Sequence, residues 1–212
     1  MPSVSSVRRV VLLDDHAIVR RGLRQLFERE ADFTVCAEAE TAAEGLHAVE
    51  TEAPDLLVAD LTLEGRSGFE VLHQIRQHPL PLSVLVVSMH DDLMFVDRAL
   101  AAGADGYVTK RHAERDVIRA SRAVLSGQTF VLGRVGPPLP SAEDPVAQLS
   151  DREFEVFLLL GRGYAPRHAA ERLSLSVSTV EAHRERMKVK LGVQDSPTLV
   201  RYAVNWCHHR MP

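Results

Sequence analysis

Three carboxylates, one hydroxyl and one ammonium in the first half of the chain each follow a short apolar run. Asp14 and Asp15 follow the first run, Asp60 the third and Ser88 the fourth, and Lys110 comes just after the fifth. Clustered carboxylates repel one another unless a cation lies among them, and hard oxygen ligands suit Mg²⁺. A carboxylate beside such a metal can act as a nucleophile and form an acyl phosphate. The metal and the lysine would then neutralise the charge on the phosphoryl oxygens.

The elements that must position these residues are predicted from the hydrophobic pattern. Residues 7–126 alternate apolar runs with amphipathic stretches of helical length, which predicts a doubly wound, five-stranded parallel sheet with helices on both faces. Ligands bind beyond the carboxyl ends of the strands in such sheets, so the side chains should converge there. The predicted strands are 7–13, 33–37, 56–59, 82–87 and 106–108, and the predicted helices are roughly 16–29, 41–52, 67–77, 92–102 and 112–126.

Each residue of this set also has an ordinary structural interpretation. Asp14 or Asp15 could cap the first helix, and Asp60 could cap a turn. Ser88 resembles the serines that begin many loops, and a lone lysine is usually solvated. Lys110 is nevertheless the only lysine before residue 188, in a chain that otherwise uses arginine. Because a compact ammonium donates differently from a guanidinium, a site that needs one does not accept the other.

Composition excludes several classes of protein. The 212 residues are 45% hydrophobic and 25% charged, which excludes collagen, coiled-coil arrays and disorder. No apolar run approaches the roughly 20 residues of a membrane-spanning helix, and the N-terminus lacks the apolar region of a signal peptide. Cys36 and Cys207 have no metal-ligand spacing and fit a reducing cytosol. We expect a cytoplasmic protein without a membrane partner.

Charge and turn residues divide the chain in two. Residues 1–147 contain 15 basic and 22 acidic residues, whereas residues 148–212 contain 10 and 7. A basic second half is compatible with a nucleic-acid partner, although compositional scatter is the alternative. Seven of the 21 residues in 127–147 are Gly or Pro, which predicts a linker without helix or strand. The predicted domains are therefore 1–126 and 148–212, joined by 127–147.

The second half is predicted to be all-helical. Ser150 and Glu153 form a capping box that opens a helix through residue 160. Pro166 begins a short helix, a turn follows it, and a longer helix ends at Gly192. A short helix, a tight turn and a longer helix form the helix-turn-helix pattern, in which the second helix enters the major groove of DNA.

The longer helix has a core face and a groove face. Val180, Met187 and Leu191 are predicted to face the core. His183 is predicted to be a partly buried packing residue rather than a base-contacting residue or a pH sensor. Glu181 could accept a hydrogen bond from cytosine N4, or it could complete a second capping box that begins at Ser178, which we favour. The predicted DNA-contacting residues are Ser178, Thr179, Glu181, Ala182, Arg184, Glu185, Arg186 and Lys188.

Four motifs in the first half indicate a family. They are Leu-Asp-Asp-His at 13–16, Asp60 after an apolar strand, Ser88 after Val-Leu-Val-Val, and Gly-Tyr-Val-Thr-Lys at 106–110. In these motifs the segment 7–126 resembles the receiver domain of two-component response regulators. The resemblance implies a flavodoxin-like fold whose output is binding rather than enzymatic turnover.

The resemblance also implies the chemistry of the site. Asp60 would accept a phosphoryl group from a histidine kinase. Mg²⁺ would be held by Asp14, Asp15, Asp60 and the backbone carbonyl of Thr62. The residues implied to contact the phosphoryl group or to act in the switch are Ser88, Tyr107 and Lys110.

Two departures from the family pattern lie beside this site. Arg111 stands where the family usually has proline, which puts a cis peptide bond at this place in doubt. Leu-Glu-Gly at 63–65 replaces the usual Met-Pro-Gly and adds a negative charge near the metal. Tyr107 has a further interpretation as a half-buried aromatic residue on an edge strand.

The second half carries another set of family motifs. They are Leu-Ser-x-Arg-Glu-x-Glu-Val at 149–156, Ala-Ala-x-x-Leu at 169–173, Ser-Thr-Val-Glu-x-His-Arg at 178–184 and Lys-Leu-Gly-Val at 190–193. This segment resembles the LuxR-type DNA-binding domain of NarL/FixJ-class response regulators. The resemblance implies a double-stranded DNA partner, a homodimer in the phosphorylated or DNA-bound state, and control of transcription.

Two apolar sets in this half have two interpretations each. Phe154 and Leu158 lie one turn apart and could contact the unphosphorylated receiver or a second subunit, or could enlarge the local core. Leu199, Ala203 and Trp206 form a stripe on the last helix, which supports dimerisation in the family but could also close the domain core.

Two other functions remain open at this point. A haloacid-dehalogenase-type phosphohydrolase needs a second Asp two residues after its nucleophile, but this position is Thr62, and no cap-domain insertion is present. The other is a protein without DNA output, which would use Glu181 and Glu185 against a protein partner. We expect a response regulator that controls transcription.

Overall fold

The computed structural model describes residues 7–63, 66–77, 81–91, 93–131 and 145–210. The chain forms two compact units, which divide between residues 134 and 135. Most of the predicted linker, residues 132–144, lies outside the described residues.

The first unit alternates strands with helices. Its strands are β1 (Arg8–Leu13), β2 (Phe33–Ala39), β3 (Leu56–Ala59), β4 (Thr62–Leu63), β5 (Arg66–Ser67), β6 (Ser83–Ser88), β7 (Gly106–Thr109) and β8 (Phe130–Val131). Its helices are α1 (Ala17–Glu28), α2 (Ala42–Glu52), α3 (Gly68–Gln77), α4 (Leu93–Ala101) and α5 (Ala113–Leu125). The five predicted strands and five predicted helices are all present, with ends within two residues of the prediction.

The strand order places the predicted site at a switch point. The sheet is parallel with the order β2-β1-β3-β6-β7-β8, and β4 and β5 form a separate antiparallel pair. The chain moves outward from β1 to β2 and then returns past β1 to β3, so the connections diverge between β1 and β3. The central strands are apolar and buried because helices cover both faces of the sheet. Asp14 and Asp60 directly follow β1 and β3, the two strands at this switch point.

The sheet has six strands rather than the predicted five. The additional strand β8 pairs in parallel with β7, Phe130 opposite Gly106 and Val131 opposite Tyr107. It lies inside the segment that was predicted to contain neither helix nor strand. That prediction used the Gly and Pro content of the whole segment, whereas residues 128–132 contain neither Gly nor Pro. Phe130 packs against the core, and the Arg119 guanidinium lies 5.1 Å from the centre of its ring.

Helix α3 begins with a glycine because neighbouring backbone leaves no room for a side chain. A Cβ atom at Gly68 would lie 2.4 Å from Leu61 Cα and 2.5 Å from the carbonyl oxygen of Asp60. We expect Gly68→Ala to lower the free energy of unfolding of this unit by about 1–3 kcal/mol, since the backbone must shift to admit the methyl group. Urea unfolding of the full chain measures this effect.

A glycine in α1 is the matched control. A Cβ atom at Gly22 would have nothing within 4 Å. Alanine is favoured over glycine inside a helix by about 0.5–1 kcal/mol, so Gly22→Ala is expected to stabilise the same unit. If Gly68→Ala stabilises the unit as Gly22→Ala does, the close approach at Gly68 has no energetic consequence.

The second unit is helical, as predicted. It contains α6 (Asp151–Gly161), α7 (Pro166–Arg172), α8 (Val177–Leu191) and α9 (Ser196–Arg210). Ser150 and Glu153 form the predicted capping box, and Gly192 ends α8 in the left-handed conformation with φ of 65°. Helices α6 and α9 pack closely, since a Cβ atom on Gly161 would lie 2.8 Å from the Ala203 carbonyl oxygen. In the described parts of the chain, no helix is both long enough and apolar enough to cross a membrane.

Candidate functional site

Strand pairing brings the acidic residues together. The Asp60 N–H donates to the Leu13 carbonyl oxygen at 2.9 Å, so the ends of β1 and β3 lie side by side. One ligand atom from each of Asp14, Asp15, His16 and Asp60 lies within 4.8 Å of the others. The carboxylates of Asp14 and Asp60 are buried. The structure therefore brings together the three carboxylates that the sequence predicted.

Lys110 provides a positive charge inside this acidic cluster. Its Nζ donates to Asp60 Oδ2 at 2.7 Å and lies 2.7 Å from Asp14 Oδ2. Only 6% of the Lys110 side chain is exposed. Lys110 lies near these carboxylates because it directly follows β7, and only β6 separates β7 from β3 in the sheet. One ammonium thus faces two buried carboxylates.

The cluster shifts the pKa values of Asp60 and Lys110. Burial raises the pKa of Asp60, although the neighbouring Lys110 ammonium acts in the opposite direction. Burial acts to lower the pKa of Lys110, but the carboxylates of Asp60 and Asp14 outweigh it and raise this pKa above its ordinary value. The charged lysine is therefore the stable form at neutral pH.

The donor set fits a hard divalent cation. Asp60 Oδ1 is buried and has no hydrogen-bond donor among the described residues. Three carboxylates against a single ammonium leave an excess of negative charge, which a cation would balance. Carboxylate oxygens are the ligands that such a cation prefers. The cluster could hold a metal ion.

The serine and tyrosine of the predicted switch both lie next to His90. The Tyr107 hydroxyl donates to the carbonyl oxygen of His90 at 2.8 Å, and the His90 N–H lies 3.4 Å from Ser88 Oγ. Both Ser88 and Tyr107 are buried. The half-buried edge-strand interpretation of Tyr107 is wrong, because β8 covers the outer side of β7.

Of the two departures from the family pattern, the structure describes the one at Arg111. No peptide bond among the described residues is cis, so the bond between Lys110 and Arg111 is trans. The Arg111 guanidinium pairs instead with Asp91 at 3.2 Å, and both side chains are exposed. Glu64 and Gly65, where an added negative charge was predicted, lie outside the described residues.

Sequence reasoning missed three residues around the site. Arg20 is buried, and its Nη1 donates to the Asp14 carbonyl oxygen at 2.6 Å. His16 Nδ1 lies 2.6 Å from Asp15 Oδ1. The His90 ring bonds to Thr62 Oγ1 at 3.2 Å. Their proximity in sequence to Asp14 and Ser88 was the available signal, but it does not predict which partner each side chain contacts.

In the second unit, α8 has the predicted core face. Val180 and Met187 are fully buried, whereas Leu191 at the end of the helix is only partly buried. His183, which was predicted to be partly buried, is 9% exposed. The Arg186 Nη2 and His183 Nδ1 atoms lie 2.8 Å apart. Burial, and then the nearby Arg186 charge, lower the pKa of His183. This supports its role as a neutral packing residue.

Two expectations for α8 are corrected. Arg184 was predicted to point outward, but it is only 9% exposed because it turns back to pair with Glu181. The second capping box is also wrong, since α8 begins at Val177 and its N-cap is Ser176, whose hydroxyl accepts from the Thr179 N–H at 3.0 Å. Of the other predicted DNA-contacting residues, Ser178, Ala182, Glu185 and Arg186 are exposed, and Thr179, Glu181 and Lys188 are partly exposed.

A buried carboxylate fixes α8 against the start of α6. Glu153 Oε2 accepts from the Ser150 N–H at 2.8 Å and from Lys190 Nζ at 2.7 Å, and Glu153 Oε1 accepts from Arg186 Nε at 3.3 Å. Burial acts to raise the pKa of Glu153, but Lys190 and the Ser150 N–H lower it below its ordinary value. The charged carboxylate therefore orients the helix that was predicted to contact DNA.

The predicted dimer or docking set is largely internal. Phe154 and Leu158 are 0% and 1% exposed, and Leu199 and Ala203 are also buried. The Phe154 ring contacts that of Trp206, with centroids 6.1 Å apart at an angle of 85°. These contacts favour the core interpretation. A dimer or docking role for the set stays a prediction.

Two family models match the chain and cover both units. Residues 10–122 match the response regulator receiver domain, and residues 147–203 match the bacterial regulatory proteins of the luxR family. The chain belongs to the LuxR-type response regulators. A response regulator of this kind is a transcription regulator and not an enzyme, which excludes the phosphohydrolase interpretation.

Individual relatives agree with this assignment. The response regulator is 33% identical over 210 residues to the oxygen regulatory protein NreC of Staphylococcus epidermidis, covering 92% of this chain and 96% of NreC. A crystal structure of a LuxR-family response regulator from Aurantimonas sp. SI85-9A1 is 40% identical, with a TM-score of 0.57 over 59% of this chain and 89% of that one. A structure of two RcsB dimers bound to two parallel DNAs is 25% identical, with a TM-score of 0.56 over 92% of this chain and 97% of that one.

Proposed function

We propose that Asp60 is the phosphoacceptor of this response regulator and that a histidine kinase is its donor. The proposal rests on the position of Asp60. Its Oδ2 bonds to the Lys110 ammonium, while its Oδ1 is buried and accepts no hydrogen bond from the residues that the structure describes. In the transfer, a carboxylate oxygen of Asp60 bonds to phosphorus as the P–N bond of the phosphohistidine breaks, and the imidazole leaves. Lys110 can then stay beside the carboxylate and contact a phosphoryl oxygen.

Mg²⁺ is the cation that the acidic cluster would hold in this function. Its ligands would be Asp14, Asp15, Asp60 and the backbone carbonyl of Thr62. When bound, the ion neutralises the charge on the phosphoryl oxygens. Arg20 supports the arrangement, because its guanidinium fixes the backbone at Asp14.

The backbone of His90 would connect the phosphoryl group to the switch. Ser88 Oγ lies near the His90 N–H, and the Tyr107 hydroxyl bonds to the His90 carbonyl oxygen. When the Ser88 hydroxyl turns towards a phosphoryl oxygen, the backbone at His90 would move with it. The Tyr107 side chain would then also move, because its hydroxyl bonds to the His90 carbonyl oxygen. Phosphorylation would thereby shift an equilibrium between inactive and active forms.

The output would be DNA binding by α8 of a homodimer. Ser178, Glu185, Arg186 and Lys190 are exposed on α8, beside the apolar Val177, Ala182 and Val189, and Glu153 holds the helix in place. The structure of RcsB dimers on DNA supports the same arrangement here. The proposed contacts are Ser178, Thr179, Glu181, Ala182, Glu185, Arg186 and Lys188, with Arg184 acting through Glu181. A DNA partner and a kinase donor imply action in the cytoplasm.

Intact mass of the full chain tests the receiver chemistry. After incubation with Mg²⁺ and a small acyl-phosphate donor, we expect a gain of one phosphoryl group, and none in the Asp60→Ala variant. Omission of Mg²⁺ is expected to prevent the gain. DNA binding of the two forms is then compared over a series of salt concentrations, because phosphate contacts make affinity fall with salt.

Two results would contradict the proposal. A phosphoryl group that is still gained by Asp60→Ala would place the acceptor elsewhere in the chain. Equal affinity of the phosphorylated and unphosphorylated forms for a selected duplex would show that phosphorylation of the receiver does not control DNA binding.

A further inference from the structure

The two acidic residues of α8 each pair with a basic residue three positions further along. Glu181 accepts from Arg184 Nη1 at 2.6 Å and 2.8 Å through its two carboxylate oxygens. Glu185 Oε1 lies 2.8 Å from Lys188 Nζ. Each pair cancels charge on the helix that would enter the major groove. Attraction to DNA phosphates does not explain why carboxylates stand at these positions.

The Glu181 pair differs from the Glu185 pair in its fixed geometry. Arg184 is buried along α8, whereas 43% of the Glu181 side chain is exposed. A buried guanidinium that contacts both oxygens holds the carboxylate in one orientation at the surface. The Glu185 side chain is 64% exposed and contacts Lys188, which is 17% exposed, through one carboxylate oxygen. Glu181 is therefore the preorganised carboxylate of this face.

The Arg184 side chain is not optimised for stability. Its Nε is buried and has no acceptor in the part of the chain that the structure describes. A buried donor without an acceptor carries a desolvation cost, which an apolar residue at the edge of the core would avoid. The arrangement is better explained by the orientation that Arg184 imposes on Glu181.

The major groove offers few partners to a carboxylate. Phosphates and the acceptor atoms of guanine and thymine repel it, so only the amino groups of cytosine and adenine can donate to it. In adenine the amino group lies beside the N7 acceptor, which also repels a carboxylate. Cytosine N4 has no such neighbour. A fixed carboxylate on this face therefore selects cytosine.

We propose that Glu181 is a specificity-determining residue that accepts a hydrogen bond from cytosine N4, and that Arg184 is its positioning residue. This inference rests on the proposed entry of α8 into the major groove. Arg184 would remain paired with Glu181 in the complex and neutralise the charge that the carboxylate brings near the phosphates.

Selection from a pool of random duplexes by the full chain, followed by sequencing, tests the inference. We expect the parent chain to select a cytosine at one position of each half-site, and we expect this selection to depend on Glu181. On fixed duplexes that vary this base, the parent should discriminate by about tenfold or more. Glu181→Ala should lose the preference at this base pair alone. Glu181→Gln should move it to adenine, because an amide matches the adjacent donor and acceptor of that base.

Glu171→Gln is the control, since it makes the same change of charge at an exposed position of α7, outside the proposed DNA contacts. It should retain the cytosine preference and change only the overall affinity. Arg184→Lys should weaken the discrimination at the same base pair, and a thermal midpoint measured for each variant separates this from unfolding. A selected motif that is unchanged in Glu181→Ala and Glu181→Gln overturns the inference and leaves the proposed function intact. If the parent chain selects no motif, sequence-specific DNA binding itself fails, and the inference fails with it.

Discussion

Lys110→Met is expected to lower the free energy of unfolding of the receiver by about 3 kcal/mol when divalent cations are absent. The Lys110 ammonium lies 2.7 Å from Asp60 Oδ2 and 2.7 Å from Asp14 Oδ2, and all three side chains are buried. Methionine keeps most of the length of the side chain and removes its charge, so both carboxylates lose the neighbouring positive charge of the ammonium. Removal of one member of a buried ion pair costs about 3–5 kcal/mol. Urea unfolding of the receiver measures the difference.

The sign of the pH dependence follows from Asp60. Burial already raises its pKa against the effect of Lys110, and loss of the ammonium raises this pKa further. A carboxyl group with a raised pKa in the folded state weakens the fold above that pKa, and this effect vanishes below the unfolded value of 3.8. The deficit of the Lys110→Met variant should therefore become smaller as the pH falls from neutral towards acid.

Saturating Mg²⁺ should recover much of the lost stability, because the cation takes over the role of the ammonium as counter-charge. The control is Lys188→Met, which removes an i,i+3 pair of α8 and should leave the receiver transition unchanged. If Lys110→Met unfolds like the parent chain in the absence of Mg²⁺, the ion pairs of Lys110 contribute nothing to the fold.

Phe154→Ala is expected to destabilise the second unit by about 3–5 kcal/mol. Its ring is fully buried and contacts the Trp206 ring edge to face. The loss combines the transfer free energy of the ring with the cavity that remains between α6 and α9. Thermal unfolding of the full chain, followed by the fluorescence of its single tryptophan, measures the change in this unit.

Val189→Ala is the control for Phe154→Ala, since Val189 is 83% exposed on α8 and its change should stay within about 0.5 kcal/mol. The comparison also separates the two interpretations of Phe154. If Phe154 is a core residue, its replacement lowers the thermal midpoint of the unit. If it is a docking residue, its replacement changes the oligomeric state or DNA binding and leaves the stability unchanged. The second outcome would restore the docking interpretation.

The convergence of the acidic residues with Lys110 could be predicted without coordinates. Apolar runs and amphipathic stretches alternate strictly, and a parallel sheet places all carboxyl ends at one edge. Asp14, Asp60 and Lys110 must then lie along the same edge of the sheet, whatever the details of packing. The helix-turn-helix was predictable for a similar reason, because capping and glycine signals are local.

The sixth strand and the orientation of Arg184 were not predictable in the same way. Phe130 pairs with β7 because the outer edge of that strand and the adjoining core are available to it, and both belong to distant parts of the chain. Helical spacing assigns Arg184 to a face, but a long side chain at the border can turn towards either solvent or a neighbouring carboxylate.

The sequence by itself determined the order of the elements, the family, and the set of residues that can perform the chemistry. The tertiary structure decided which partners they have: Lys110 bonds to Asp60 and lies against Asp14, and Tyr107 bonds to His90. The physical reason is the range of the interactions. Periodicity, capping and strand ends are encoded within a few residues, whereas partners across the sheet are set by packing between segments that are far apart in sequence.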